Sequence, residues 1–366
     1  MSVAFSNLER PLAITMWEQS WLQRRWPGAG FEDWDRALAE LVERGYDAVR
    51  LDANPHNLVV DKDATWHFTP VSDNSDWASP LPIDVRFWPE LPDFIRACRD
   101  HGVKVGLSSW FEADDTHAEL RLRTPELHAA AWARTLDLLD AEGVTDALLY
   151  VDLCNEWPHE LWAPFYEPAP GEKRHWASPS SIEWMKKAID LLRPASRGLP
   201  LTFSILPEKT WDDADLSFMD FLEPHIWMAQ SSDYYERIGY EYPKFGFDGY
   251  RLLQREAEKL YRSDPEYWKA DLRRIVEETA EVSRRINRPL MTTECWALVD
   301  WRDFPQLDWG FIKELCEVGV RAASATGRWM AIATSNFCEP QFKGMWRDVE
   351  WHQQMTDVIH NAGLPR

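Results

Sequence analysis

Along this 366-residue chain eight short apolar runs alternate, with one exception, with longer amphipathic stretches, and this alternation limits the fold more than any other property of the sequence. Short apolar runs read as strands buried on both faces, and the stretches between them carry the helical periodicity of elements that cover such a sheet. Strands are expected at about residues 12–17, 47–53, 103–110, 147–153, 201–205, 221–227, 289–293 and 329–334. Helices are expected near 31–44, 91–101, 125–142, 181–192, 250–287 with an interruption at 263–265, 309–323 and 347–361. Gly45, Gly102 and Gly143 stand where helices should end, and Pro125 after Thr124 where one should begin. Repeated βα units predict an α/β chain, a (β/α)8 TIM barrel that takes in residues 1–366 as one unit, without linker or internal repeat.

The connections leaving strands two, four and six are long, at residues 54–89, 157–180 and 229–249, whereas those returning from helix to strand are mostly short. In a barrel the long ones all emerge on the C-terminal face, where active sites of this architecture lie. Two acids stand on that rim: Glu156 in LLYVDLCNEWP after strand four and Glu294 in PLMTTECW after strand seven. Glycoside hydrolysis with retention of configuration needs two carboxyls about 5 to 5.5 Å apart. One must be protonated to release the leaving oxygen and the other ionised to attack the anomeric carbon, so their surroundings must separate two pKa values that start alike.

The Asn-Glu pair after strand four and the second Glu after strand seven resemble clan A glycoside hydrolases, in particular the cellulase-like family 5 enzymes. The resemblance implies a retaining glycosidase without cofactor, with Glu156 as acid/base, Glu294 as nucleophile and Asn155 on the sugar 2-hydroxyl. It also implies that Arg50, in DAVRLDANP, lies beside the nucleophile and that His225, in EPHIW, contacts substrate or nucleophile. Two departures stand out. Trp227 occupies a position where the family commonly has tyrosine, which leaves Tyr234, Tyr235 or Tyr240 to orient the nucleophile. After strand eight, TSNFCEP offers Asn336 and Phe337 in place of the usual aromatic platform.

Of the chain's 22 tryptophans, Trp17, Trp110, Trp157, Trp227 and Trp296 fall at the ends of strands one, three, four, six and seven. Indole faces suit the apolar faces of sugar rings, so these five are expected to wall a sugar pocket. His56 and Asn57 after strand two and Glu112 after strand three are expected to form its polar floor. Asp152 and Cys154 flank the acids and are expected to be buried or tucked aside by strand alternation, without a role, and Cys295 is expected to be packed rather than reactive.

Lys+Arg number 40 against Asp+Glu 61, and the net charge of -21 disfavours nucleic acid and anionic membrane as partners. The opening MSVAFSNLERPLAITMW has no secretory pattern, and five scattered cysteines form no CxxC, so a cytoplasmic protein with reduced thiols is expected. A small carbohydrate is the expected partner, and a homo-oligomer is compatible with the composition. HxH and HExxH spacings are absent, so no metal is expected. Two other readings stand beside the glycosidase: a barrel that binds carbohydrate without turnover, and a metal-dependent sugar isomerase or hydrolase using His225, Glu156, Glu294 and Asp152.

Overall fold

The computed structural model describes residues 8–70, 76–207, 214–241, 247–301 and 308–365. Its barrel strands are β1 (Leu12–Glu18), β2 (Ala48–Asp52), β3 (Lys104–Ser108), β4 (Leu148–Asp152), β5 (Leu201–Thr202 continued by Ser204–Ile205), β6 (Glu223–Pro224 continued by Ile226–Trp227), β7 (Leu290–Thr292 continued by Cys295–Trp296) and β8 (Trp329–Ala333). Seven of them form one parallel sheet from β7 through β8 and β1 to β5. Two short parallel pairings, Ser204 with Glu223 and Ile226 with Cys295, carry β6 between β5 and β7 and close the ring. β2, β4 and β8 are buried along their whole length, which explains why they read as unbroken apolar runs rather than alternating ones. The ladders of β6 and β7 break at His225 and at Thr293 and Glu294.

The longer helices are α1 (Trp34–Glu43), α2 (Glu90–Asp100), α3 (Pro125–Ala141), α4 (Pro179–Leu192), α5 (Phe247–Ser263), α6 (Pro265–Ile286), α7 (Gly310–Thr326) and α8 (Val349–His360). Their ends follow local chemistry. The Asp33 side chain accepts from the Arg36 amide at the start of α1, and Thr124 accepts from Leu127 ahead of Pro125 in α3. Asp264 accepts from the Tyr267 amide and starts α6, so the expected interruption of the long helical region is a cap between two helices. Gly45 takes φ +85° at the turn from α1 into β2, a conformation that costs other residues energy.

The long connections hold short elements that the sequence pattern did not separate from loop. The one after β2 contains the helix Pro55–Asp61 and an antiparallel hairpin of Trp66–Phe68 with Ile83–Val85. The one after β6 contains Met228–Ser231 and Tyr234–Ile238. Among the described residues no helix is long and apolar enough to cross a membrane. All five cysteines are free and buried.

Candidate active site

Arg50 is the centre of the barrel mouth. Its guanidinium is fully buried, and its Nη1 donates to Glu294 Oε1 at 2.8 Å and to Thr293 Oγ1 at 3.1 Å. Its Nη2 donates to Asn155 Oδ1 at 2.6 Å, Asp152 Oδ2 at 2.7 Å, Ser108 Oγ at 3.0 Å and Ser204 Oγ at 3.2 Å. Its Nε lies 3.7 Å from Glu223 Oε1. Burial opposes its charge, but Glu223, Asp152 and Glu294 outweigh that and hold Arg50 above the usual arginine range. One cation thereby ties β2 to β3, β4, β5, β6 and β7 beneath the rim.

Glu156 sits at φ +47°, a left-handed conformation uncommon for a residue with a side chain, and its amide donates to Ser204 Oγ at 2.9 Å. Its Oε2 accepts from Trp162 Nε1 at 3.2 Å, and its Oε1 lies 3.1 Å from His225 Nδ1. That same imidazole nitrogen is 3.7 Å from Glu294 Oε1. Glu156, His225 and Glu294 thus each present an atom within 4.8 Å of the others. Such spacing could be spanned by a divalent cation, but Arg50 already supplies positive charge 2.8 Å from Glu294 and would repel a second cation.

Burial raises both glutamates above 4.5, and Glu156 raises Glu294 further by like charge. The two are not equivalent. Glu294 is ion-paired with Arg50, whereas the nearest donors to Glu156 are the Trp162 N–H and the His225 ring. A single proton held by the pair therefore resides on Glu156. Burial pushes His225 down to about 4, so the imidazole between them is neutral.

Asn155 Nδ2 has no protein partner among the described residues and remains a buried donor beside the two acids. Trp110 lies against the Arg50 guanidinium, 4.4 Å from ring centroid to Cζ, and Trp227 meets His225 edge-on at 5.8 Å. Glu112 accepts from Gln23 Nε2 at 2.6 Å, and burial together with Asp52 and Glu18 pushes it up to about 8.

Other expected pocket residues are placed elsewhere. Trp17 packs edge-on against Phe31 and donates to the Cys338 carbonyl; Trp157 stacks on Trp184; Trp296 donates to the Ala333 carbonyl. All three are held in the core between strands and helices by these contacts. For Trp296 the enclosing partner is α7, where a Cβ on Gly319 would fall 2.4 Å from the indole. His56 and Asn57 lie on the short helix after β2, the first facing the Glu112 carbonyl at 3.1 Å and the second donating to Asp114 Oδ2 at 2.9 Å. They fasten the segment after β3 and line no floor. Asn336 Nδ2 donates to the Val299 carbonyl and ties the end of β8 to the connection after β7. The Tyr234, Tyr235 and Tyr240 hydroxyls, expected to orient the nucleophile, engage the Ala257 carbonyl, the Val299 amide and Asp300.

Asp152 is buried, as expected, but not idle: it accepts from Arg50, Ser108 Oγ and Ser204 Oγ and from the Ser204 amide, because its side chain points into the barrel where Arg50 crosses from β2. Cys154 and Cys295 are buried and their thiols pushed well above the ordinary range by that burial, as suits inert groups. Glu223, Thr293, Ser204 and Trp162 were not anticipated. Glu223 had a sequence signal, a carboxylate two residues before His225 on the same face of a buried strand. Trp162 had none.

A profile described as sugar-binding cellulase-like matches residues 14–360. A candidate glycoside hydrolase from Parabacteroides distasonis is 44% identical, with TM-score 0.93 over 97% of this chain and 95% of that one. The endo-β-1,4-mannanase of Thermotoga petrophila matches with TM-score 0.56 at 8% identity, over 98% of this chain and 78% of its own. A glycoside hydrolase family 5, subfamily 18 protein of Bifidobacterium longum subsp. infantis matches with TM-score 0.55 at 11% identity, over 97% and 80%. These two share the fold. No curated protein matches. With its closed parallel barrel, its acids on strands four and seven and a family match over nearly its whole length, the chain belongs to the sugar-binding cellulase-like family.

Proposed function

We propose that this protein is a retaining glycoside hydrolase acting on a small oligosaccharide or glycoside. The observation that carries this reading is the approach of the Glu156 and Glu294 carboxylates to within 4.8 Å, with Arg50 on Glu294 alone. An inverting pair stands about 6.5 to 9.5 Å apart to admit a water, and the close approach of the two carboxylate oxygens here supports the retaining reading. In the first step the Glu156 carboxyl gives its proton to the glycosidic oxygen while a Glu294 oxygen bonds the anomeric carbon, and the aglycone departs as an alcohol. In the second, Glu156 takes a proton from a water whose oxygen displaces Glu294, restoring both residues. In this reading Asn155 Nδ2, a buried donor without a protein partner among the described residues, holds the sugar 2-hydroxyl, and Trp110, Trp227 and Glu112 contact the ring. Five buried, unpaired thiols suit a reducing cytoplasm, where small soluble glycosides are the available substrates.

The test is a panel of nitrophenyl hexosides and pentosides in both anomers, with the first-formed sugar anomer read by proton NMR. The expected product keeps the substrate's configuration, at a rate unchanged by a chelator. Inversion removes the retaining mechanism, chelator-sensitive turnover removes the metal-free one, and binding without turnover leaves a carbohydrate-binding protein.

The acid limb of the pH profile follows from the same geometry. Catalysis needs ionised Glu294, whose pKa burial raises above 4.5, so activity falls as pH drops through that value. The half-point of kcat/KM on the acid side is expected above pH 4.5, and an acid limb below it contradicts this assignment of the nucleophile.

A further inference from the structure

Beneath the two acids lies a carboxyl that the double displacement leaves without a task. Glu223 is fully buried on β6, two residues before His225 and on the same side of the strand. Its Oε1 accepts from Thr293 Oγ1 at 2.5 Å, lies 3.7 Å from Arg50 Nε and 4.0 Å from His225 Nε2. Arg50 Nε, His225 Nε2, Glu223 Oε2 and the Tyr150 hydroxyl are all buried without a hydrogen-bond partner among the described residues. The groups facing Glu223 are Arg50 from β2, Tyr150 and Asp152 from β4, His225 on its own strand, and Thr293 and Glu294 from β7.

A neutral imidazole carries one N–H, and its location decides what Glu156 can do. With the proton on Nδ1, His225 donates toward Glu156 and Glu294, and the acid proton of Glu156 stays free for the leaving group. With the proton on Nε2, the Nδ1 lone pair faces Glu156 at 3.1 Å and captures that acid proton as a hydrogen bond. Whatever occupies the Nε2 side selects between these forms.

We propose that Glu223 is a positioning residue whose carboxylic acid, by a shift that closes the 4.0 Å gap between these two unpartnered groups, donates to His225 Nε2 and so holds the imidazole N–H on Nδ1, facing the catalytic pair. This rests on the retaining-glycosidase reading. When Glu223 ionises, the carboxyl proton leaves to solvent and the carboxylate accepts from Nε2–H, while the imidazole, still neutral, has moved its proton from Nδ1 to Nε2. Burial, with Asp152 and Glu294 as like charges and Arg50 opposing, pushes Glu223 up to about 7, so both forms occur near neutrality. The form that supports catalysis is lost as pH rises, and the alkaline limb of activity belongs to Glu223.

Glu223→Gln tests this, because the amide donates to Nε2 at every pH. The alkaline half-point of kcat/KM is expected to rise by about one pH unit or more, tenfold in proton concentration, and Glu223→Leu, which keeps bulk but no donor, is expected to lose kcat with KM little changed. A purely coulombic role moves the limb the other way in Glu223→Gln, since removing a negative charge lowers the pKa of Glu156. An unmoved or lowered limb overturns the proposal. Nitrogen-15 NMR of the histidine-labelled protein, with His225 assigned by a His225→Asn variant, needs no substrate and separates this idea from the glycosidase reading. The wild type should pass from Nδ1–H to Nε2–H as pH rises through about 7, and Glu223→Gln should keep Nδ1–H throughout. Nε2–H in the wild type at acid pH, or identical titrations in both, overturns it whether or not any glycoside is cleaved.

Discussion

Glu294→Gln is expected to lower kcat/KM for an activated aryl glycoside by about 10,000-fold, about 5.4 kcal/mol of transition-state stabilisation. The amide keeps the shape of the side chain but cannot form the glycosyl ester, and among the described residues no other carboxylate is placed to replace it. Glu156 is held 3.1 Å from His225 on the leaving-group side, and Asp152 and Glu223 are buried beneath Arg50. The loss should appear in kcat more than in KM, because Glu294 meets the anomeric carbon only as the bond forms. Circular dichroism and thermal unfolding of the variant establish that the fold survives. A folded Glu294→Gln protein that retains activity within tenfold of wild type removes Glu294 as the nucleophile.

Arg50→Met is expected to destabilise the fold by about 3 to 5 kcal/mol at neutral pH, the usual penalty for leaving buried charge uncompensated. Asp152, Glu223 and Glu294 all lean on this guanidinium, at 2.7, 3.7 and 2.8 Å. Without it the buried carboxylates repel one another uncompensated, and the pKa values of Glu223 and Glu294, already raised by burial against the opposing charge of Arg50, climb further above those of the unfolded chain. The sign follows from linkage. The variant's deficit is largest at high pH and shrinks as pH falls and the carboxyls take up protons. Urea denaturation at several pH values measures it. As a contrast, Arg36 pairs with Glu32 at the surface, and its replacement by Met should cost under about 1 kcal/mol. Equal losses for Arg36→Met and Arg50→Met, or a pH-independent deficit for Arg50→Met, would sink the view of Arg50 as the charge that holds the mouth together.

Much of this architecture is legible along the chain because strand and helix periodicities are local. A buried run such as Leu148–Asp152 reads as a strand wherever it sits, and Asp264 followed by Pro265 marks a helix start from two adjacent residues. Strand ends are equally local, so Glu156 and Glu294 could be put on one rim before their separation was known. The tryptophans were misjudged for the opposite reason. A strand-end position says that a side chain is near the mouth but not which way it turns, and Trp17, Trp157 and Trp296 turn into packing against Phe31, Trp184 and α7. Trp110 and Trp227 turn toward Arg50 and His225.

Asp152 and Glu223 show the same division among charged residues. A carboxylate on an apolar strand is conspicuous in sequence, because burying it without a partner costs several kcal/mol. Its partner is not conspicuous: Arg50 lies 102 residues before Asp152 in the chain. What the amino-acid sequence determines by itself is the order of strands and helices, the face on which the long connections gather, and the two acids at that face. Tertiary structure alone decides that Arg50 pairs with Glu294 rather than Glu156, that His225 stands between the two acids, and that the hydroxyls of Tyr234, Tyr235 and Tyr240 engage Ala257, Val299 and Asp300. Those outcomes depend on ångström distances between strands far apart in the chain, and the short-range energies of burial and hydrogen bonding that assign protons act only once closure has set those distances.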